Sequence, residues 1–372
     1  MSPQTQIAPH LVIGAGPAGS MLAIRLASAG RAVTLLEKQP TAHHKVCGEF
    51  LSREAVEYLR QAGVDPVTLG AVPIRLVRFS SSRRVVEAPL PFIALSLSRR
   101  TLDEALLARA ADAGCTVQRG AAVETLAPDG KRWRARLRGG KSLRAQIVFL
   151  ATGKHDLHAW DRPPGRQNGF IGFKLHWQLP PAQTEALREC IELFLFRGGY
   201  GGLSLVEEDA ANLCLVVDRA RLRQLGGWPQ LLAALLAENR LLSERLHGAQ
   251  PLWERPLAVA SLPFGYLAAQ PSGPWRIGDQ AAVIPPFTGD GMSIAFHSAF
   301  LAAQMVLDGA SPELYYRRLR TELSRGMSLA TGLSRAMVSA PGRTLAPIAL
   351  SLFPKAMAQI ALSTRIPEQA LL

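Results

Sequence analysis

The spacing Gly14-x-Gly16-x-x-Gly19 lets a backbone close around a phosphate. Gly14 permits the tight turn, Gly16 lets the main chain approach a pyrophosphate, and Gly19 lets the following helix pack on its strand. Pro17 and Ala18 stand where that helix begins, and its free N–H groups and positive dipole end suit an anion. Glu37 ends the next apolar run, where a carboxylate can accept the hydrogen bonds of an adenosine ribose. An acid there favours an unphosphorylated ribose, an argument that Lys38 beside it blurs. Far downstream, Gly278-Asp279 precedes Pro285-Pro286-Phe287-Thr288-Gly289-Asp290-Gly291-Met292, a glycine turn at the start of a helix beginning near Ser293. That helix start would stabilise negative charge placed against it. One thiol, Cys47, sits in His44-Lys45-Val46-Cys47-Gly48-Glu49.

These residues need elements to hold them. His10–Ile13, the glycine turn, a helix running to Gly30 and the run Ala32–Leu36 form a βαβ unit. Helices are expected over Arg53–Ala62 and Leu102–Ala113, the second with Leu102, Leu106, Leu107 and Ala110 on one stripe. Ile74–Val86 alternates as a strand does; Thr116–Thr125 and Arg132–Leu137 are strands, and Ala145–Ala151 is a buried one. From about Gly169 to Val259 strands dominate: Phe170–Gln178, Ile191–Phe196, Gly202–Val206 and Asn212–Val217, interrupted by one helix, Pro229–Glu244. Near Trp275 the chain returns to strand, turn and helix, and its last part is helical.

The downstream pair Gly278-Asp279 with Gly289–Met292 resembles the second FAD fingerprint of the flavoprotein aromatic hydroxylases and their relatives. That superfamily includes para-hydroxybenzoate hydroxylase and the geranylgeranyl reductases. The resemblance implies an α/β fold: a doubly wound, Rossmann-like FAD-binding domain, a mixed β-sheet substrate domain and C-terminal helices. The expected FAD domain is discontinuous, residues 1–72, 98–160 and 270–310; the substrate domain takes 73–97 and 165–265, and the helical region 311–372. By the same resemblance Asp279 would hold a ribityl hydroxyl and Gly289, Gly291 and Met292 would lie by the flavin's pyrimidine edge. Arg99, in Arg99-x-x-Leu102-Asp103, would approach the FAD phosphates. Lys45 and Val123 complete the expected cofactor contacts. Cys47-Gly48 is similar to the Cys-Gly-Gly segment of geranylgeranyl reductases, with Glu49 in place of the second glycine, and would put Cys47 near the reactive ring as the catalytic residue; its bland alternative is a small buried thiol. Tyr200 and Gly201, in a segment similar to the Gly-Tyr-Gly-Trp of that family but without its Trp, and Pro286 would line the substrate channel, or Gly198–Leu203 would be a plain β-turn. The Asp-Gly pair that hydroxylases carry after the buried strand is replaced by Ala151-Thr152-Gly153-Lys154, which bears on the handling of NADPH.

Composition bounds the rest. The chain has 372 residues, 48% hydrophobic and 19% charged, as a globular protein does. Its net charge of +13 draws anionic partners, but the basic residues are scattered and match no nucleic-acid module. The first ten residues lack a secretory pattern, and Cys47, Cys115, Cys190 and Cys214 are dispersed as free thiols in a reducing cytosol, with no metal site. A cytoplasmic protein is expected. Gly326–Arg365 either packs as core helices or rests on the inner membrane surface, with Arg335, Arg343, Lys355 and Arg365 toward anionic headgroups. The expected cofactor is FAD, with NADPH or NADH as external reductant, and the substrate a small molecule of lipid-like or aromatic character. Three functions follow: a monooxygenase of an aromatic or polyketide-like ring; a geranylgeranyl reductase-like reductase of isoprenoid alkenes; and a non-enzymatic prenyl-binding module.

Overall fold

Strands β1 (Ile7–Ile13), β2 (Val33–Glu37) and β9 (Ser142–Leu150) are apolar runs because both of their faces are covered. They sit in the computed structural model, which describes residues 7–82, 84–269, 273–352 and 355–371. The expectations for residues 1–6 and 270–272, and for the side chain of Lys355, lie outside the described part. With β6 (Thr116–Arg119) these strands run parallel in the order β6-β2-β1-β9. β7 (Val123–Asp129) and β8 (Arg132–Leu137) extend the sheet antiparallel from β9, and β17 (Trp275–Arg276) pairs parallel with the end of β9. Helix α1 (Pro17–Ser28) crosses from β1 to β2 and packs on α3 (Arg99–Asp112) and α8 (Gly291–Leu307). The opposite face buries Leu11, Ile13 and Leu150 against Leu126, Ala135 and Leu137.

The second sheet has the order β14-β10-β13-β12-β11-β4-β5-β3, with β15 also on β10. Its strands are β3 (Phe50–Leu51), β4 (Val72–Ser81), β5 (Arg84–Ser96), β10 (Phe170–Gln178), β11 (Cys190–Phe196), β12 (Gly199–Leu205), β13 (Ala211–Asp218), β14 (Gln250–Pro251) and β15 (Leu257–Ala260). The sheet is mixed, since β11 runs parallel to β4 while β12, β13 and β10 alternate in direction. Period-two alternation divides its faces. Phe173, Leu175 and Trp177 of β10 pack on one face against Leu231, Leu235, Leu242 and Leu246. Gly172, Lys174 and His176 therefore turn to the other.

Several expected spans divide where the backbone demands it. Ile74–Val86 is a hairpin, β4 and β5, reversed near Ser82 at φ 55°. Thr116–Thr125 is two strands separated at Gly120, φ 67°, the first joining β2 and the second β8. The helix expected over Pro229–Glu244 is two, α6 (Trp228–Glu238) and α7 (Arg240–Leu246), following α4 (Pro181–Leu187) and α5 (Arg219–Leu225). Asn239 leaves the helical region there and its Oδ1 accepts the Leu242 N–H at 3.0 Å, so it ends one helix and caps the next. Gly198–Leu203 is not a plain turn: only Gly198 turns, and the rest is β12.

Helix α2 (Arg53–Gln61) packs on α8, while two further short strands, β16 (Tyr266–Leu267) and β18 (Ala282–Val283), form their own pair. After α9 (Pro312–Val338), α10 (Ala340–Leu352) packs on β4 and β5, and α11 (Lys355–Ser363) on β5. No single helix among the described residues is long and apolar enough to cross a membrane.

Candidate functional site

Gly14 has φ 104°, and a Cβ there would stand 2.4 Å from the Ala151 carbonyl oxygen. A Cβ at Gly19 would stand 1.9 Å from the Gly14 carbonyl oxygen. Both glycines are consumed by packing of the chain on itself. Gly16 differs: a Cβ there would meet only the Arg99 guanidinium, at 3.4 Å. Gly16 is also the residue before α1, and no side chain caps that helix start. The open backbone, the unfilled helix N-terminus and a guanidinium standing over it suit a pyrophosphate. Arg99 is held there by Asp103, donating from Nε to Oδ1 at 2.8 Å and from Nη2 to Oδ2 at 2.9 Å. Lys45 Nζ donates to the same carboxylate at 2.8 Å. Glu37 is buried, its oxygens accepting the Ala15 N–H at 3.2 Å and the Gln39 N–H at 3.0 Å. The carboxylate is thus fixed across the mouth of the glycine turn.

These residues open onto an elongated cavity of about 1430 Å³. Gly14, Gly16, Pro17, Ala18, Glu37, Lys38, Lys45, Cys47, Arg99 and Val123 line it, and so do Gly278, Asp279, Pro286, Gly289, Gly291 and Met292. Gly19 lies behind, in the packing. Gly278 (φ 60°) lies against Ala18, which joins the two glycine motifs: a Cβ on it would approach the Ala18 methyl to 2.8 Å. At Gly291, the first residue of α8, a Cβ would meet nothing within 4 Å. The donors and open backbone of this space fit FAD, whose phosphates Gly16, Ala18 and Arg99 would hold. Tyr200 and Gly201 line the same cavity; Tyr200 is buried, its ring set edge-on to Phe287 at 5.8 Å, and burial raises its hydroxyl pKa. Apolar walls come from Phe79, Leu193 and Val259 of the second sheet and from Met337, Leu350 and Met357 of the C-terminal helices.

Sequence reasoning missed a buried charge cluster beside Cys47. Glu49 has φ 59°, the left-handed region that a glycine would occupy more easily, and its carboxylate is fully buried. It accepts from Lys174 Nζ, from His176 Nε2 at 2.8 Å and from the Arg99 N–H at 2.6 Å. Burial alone would raise the Glu49 pKa, but the Lys174 charge and the His176 hydrogen bond hold it below the usual carboxylate range. His44 packs on His176 and Trp253, and burial followed by the Lys174 charge lowers its pKa to about 4. His44, Glu49 and His176 offer three ligand atoms within 4.8 Å of one another, but the Lys174 ammonium already neutralises Glu49. The signal was in the sequence: Lys174 and His176 are two polar residues, two apart, inside the apolar run Phe170–Trp177. The Cys47 Sγ accepts the Glu49 N–H at 3.4 Å, so the cluster fixes the thiol's loop.

Of the two readings of Gly326–Arg365, core helices or a membrane-resting face, the second would turn Arg365 toward lipid headgroups. It points inward instead, its side chain 6% exposed and donating to Asp290 Oδ1 at 2.7 Å. Burial raises the Asp290 carboxyl to about 6 although Arg365 opposes the shift. Arg335 is exposed and donates to the Arg166 carbonyl.

The family model described as FAD binding domain matches residues 8–155. A menaquinone reductase of Mycolicibacterium smegmatis is 26% identical over 343 residues, 87% of this chain and 83% of that protein. A digeranylgeranylglycerophospholipid reductase of Methanopyrus kandleri is 27% identical over 321 residues, 80% of this chain and 76% of the other. Among solved structures, the myxobacterial chondrochloren halogenase superposes with a TM-score of 0.77 at 18% identity, over 98% of this chain and 95% of that one. A flavin-dependent brominase gives 0.76 at 17%, over 99% and 96%. The halogenase and brominase likenesses concern the fold.

Gly16→Val should lose bound flavin and keep the unfolding temperature of the flavin-free wild type, whereas Gly19→Val, which has no room at all, should lose the fold; full flavin absorbance in Gly16→Val would refute the pyrophosphate placement. Lys174→Met strands the Glu49 charge and should cost about 3–5 kcal/mol, read from the urea midpoint. Because the Glu49 pKa is depressed, its contribution is complete above the ordinary carboxylate range and fades as pH falls through the folded value, so the gap between wild type and Lys174→Met should narrow in acid. An unchanged midpoint would show that the pair carries no load.

Proposed function

We propose that this chain, an FAD-dependent oxidoreductase of the para-hydroxybenzoate hydroxylase and geranylgeranyl reductase-like superfamily, reduces carbon–carbon double bonds in the isoprenoid part of a lipid. The observation that carries this reading is the apolar arm of the cavity, walled by the second sheet and roofed by α9–α11. Such a space suits a long hydrocarbon and offers a small polar molecule few partners. The names of the two curated relatives, both reductases of lipids or quinones, agree with it.

Bound FAD, reduced by an external nicotinamide, would supply a hydride to one alkene carbon. The other carbon then needs a proton, for which the Cys47 thiol is the proposed source, replenished from solvent. Gly16, Ala18, Arg99 and Lys45 would hold the phosphates, Glu37 the adenosine ribose and Asp279 the ribityl chain. Tyr200, Gly201 and Pro286 would pack the substrate against the flavin, and the apolar walls exclude water. A second reading, hydroxylation of an aromatic ring, draws on the Tyr200–Phe287 edge-to-face pair, against which an aromatic substrate would stack. Under strictly anaerobic conditions the reduced holoprotein should convert a C20 isoprenoid lipid to a product richer by two hydrogens per double bond. Turnover that requires O₂ and adds an oxygen atom would sink the reductase reading in favour of the second.

A lipid substrate has to be reached where it resides. Leu345, Leu352 and Leu362, on α10 and α11, are 59%, 68% and 53% exposed, on a chain of net charge +13. We infer that this outer face of the roof rests on an anionic membrane surface. The protein should sediment with vesicles containing anionic phospholipid at low ionic strength and release as salt rises; failure to sediment at low salt would remove this part of the proposal.

A further inference from the structure

The roof contributes a charge as well as apolar walls. Arg365 follows α11 and lines the cavity together with Thr288, Gly289, Gly291 and Met292. Its guanidinium is fixed from several sides. Besides Asp290 at 2.7 Å, it donates to the Thr288 carbonyl at 3.0 Å and to the Ala361 carbonyl at 2.8 Å, and its carbon lies 4.8 Å from the centre of the Phe92 ring. The start of α8 meets the same wall: Asp290 precedes its first residue, and Gly291 is open to the cavity. A helix N-terminus and a buried guanidinium therefore converge on one turn, Thr288–Met292. Two buried carboxylates stand behind it, Asp290 and Glu54, and offset part of that positive field.

We propose that Arg365 is the fixed cation that stabilises negative charge on the pyrimidine edge of the reduced flavin, so that the roof of the lipid arm also sets the cofactor's redox potential. The proposal rests on the reading that FAD lies against the Gly289–Met292 turn. Its physical basis is that a guanidinium buried in protein acts on a neighbouring charge with little screening, and that a flavin gains negative charge on two-electron reduction. Arg365 acts here as a positioning and charge-setting residue. The opposite sign of its partner makes a control: weakening Asp290 should reinforce the same field.

The test is a reductive titration of the FAD-loaded protein against a reference dye, for wild type, Arg365→Gln, Arg365→Lys and Asp290→Asn. Arg365→Gln should bind reduced relative to oxidised flavin at least tenfold less well, a fall in midpoint potential of about 30 mV for the two-electron couple. Arg365→Lys should recover most of that loss, and Asp290→Asn should move the potential upward. A merely structural role would lower flavin occupancy or thermal stability in both kinds of variant without opposite shifts in potential. The proposal is overturned if Arg365→Gln holds FAD at the wild-type potential, or if the Gln and Asn variants shift it in the same direction. If Arg365→Gln does not fold, Arg365→Lys and Asp290→Asn decide by whether the Asn variant alone rises. A wild-type protein that takes up no FAD would instead refute the underlying placement of the cofactor.

Discussion

The structure depends on one backbone approach. Gly19 of α1 lies so close to the Gly14 carbonyl that not even a methyl group fits between them. That contact seats α1 on the ends of β1 and β9 and fixes where its N-terminus points. The second glycine motif is set by reference to the first, because Gly278 packs on Ala18. Once these main chains touch, the cavity's cofactor end has no freedom left to adjust. The Gly16 backbone, Arg99 and the start of α8 face the same space as a consequence of helix and strand packing, with no further device needed.

The substrate side follows a different logic, that of a sheet with unlike faces. β10 gives Phe173, Leu175 and Trp177 to a core closed by α6 and α7, and gives Gly172, Lys174 and His176 to the cavity side. Two buried polar groups on that second face would be costly alone. Glu49 answers both, at the price of a left-handed backbone position, and in doing so ties the Cys47 loop to the sheet. A buried ion pair of this kind adds little net stability over an apolar substitute, but it demands one arrangement of its partners. It therefore acts to fix the loop's register more than to hold the fold together.

Much of this was legible in the sequence, and the reasons are local. The glycine spacing announces itself because a turn and a helix start are satisfied within a few residues, while Glu37 and Gly278-Asp279 were read from their place after apolar runs, although the fold supplies their partners Ala15 and Ala18. The apolar runs of β1, β2, β9 and β10 were readable for the same reason. The breaks at Ser82, Gly120 and Asn239 were not, since hydrophobic alternation continues across a hairpin and an apolar stripe continues across a capped kink. The Glu49 cluster spans more than a hundred residues and needs the fold before Lys174 can meet its acid. Arg365 misled for a related cause: a base among apolar residues reads as amphipathic, and only the tertiary structure supplies the buried carboxylate that turns it inward.

Segments far apart in the sequence meet at one cofactor space, with Gly16 and Arg365 lining the same cavity. This fixes the timing of assembly. During synthesis the glycine turn precedes the walls and roof that complete the space, which remain untranslated until α10 and α11 emerge. A nascent chain can fold its first βαβ unit but has no finished place to retain a flavin. A cavity with all of these walls therefore exists only once α11 has been made, and the binding energy of a flavin held by all of them is added to the stability of chains that carry it.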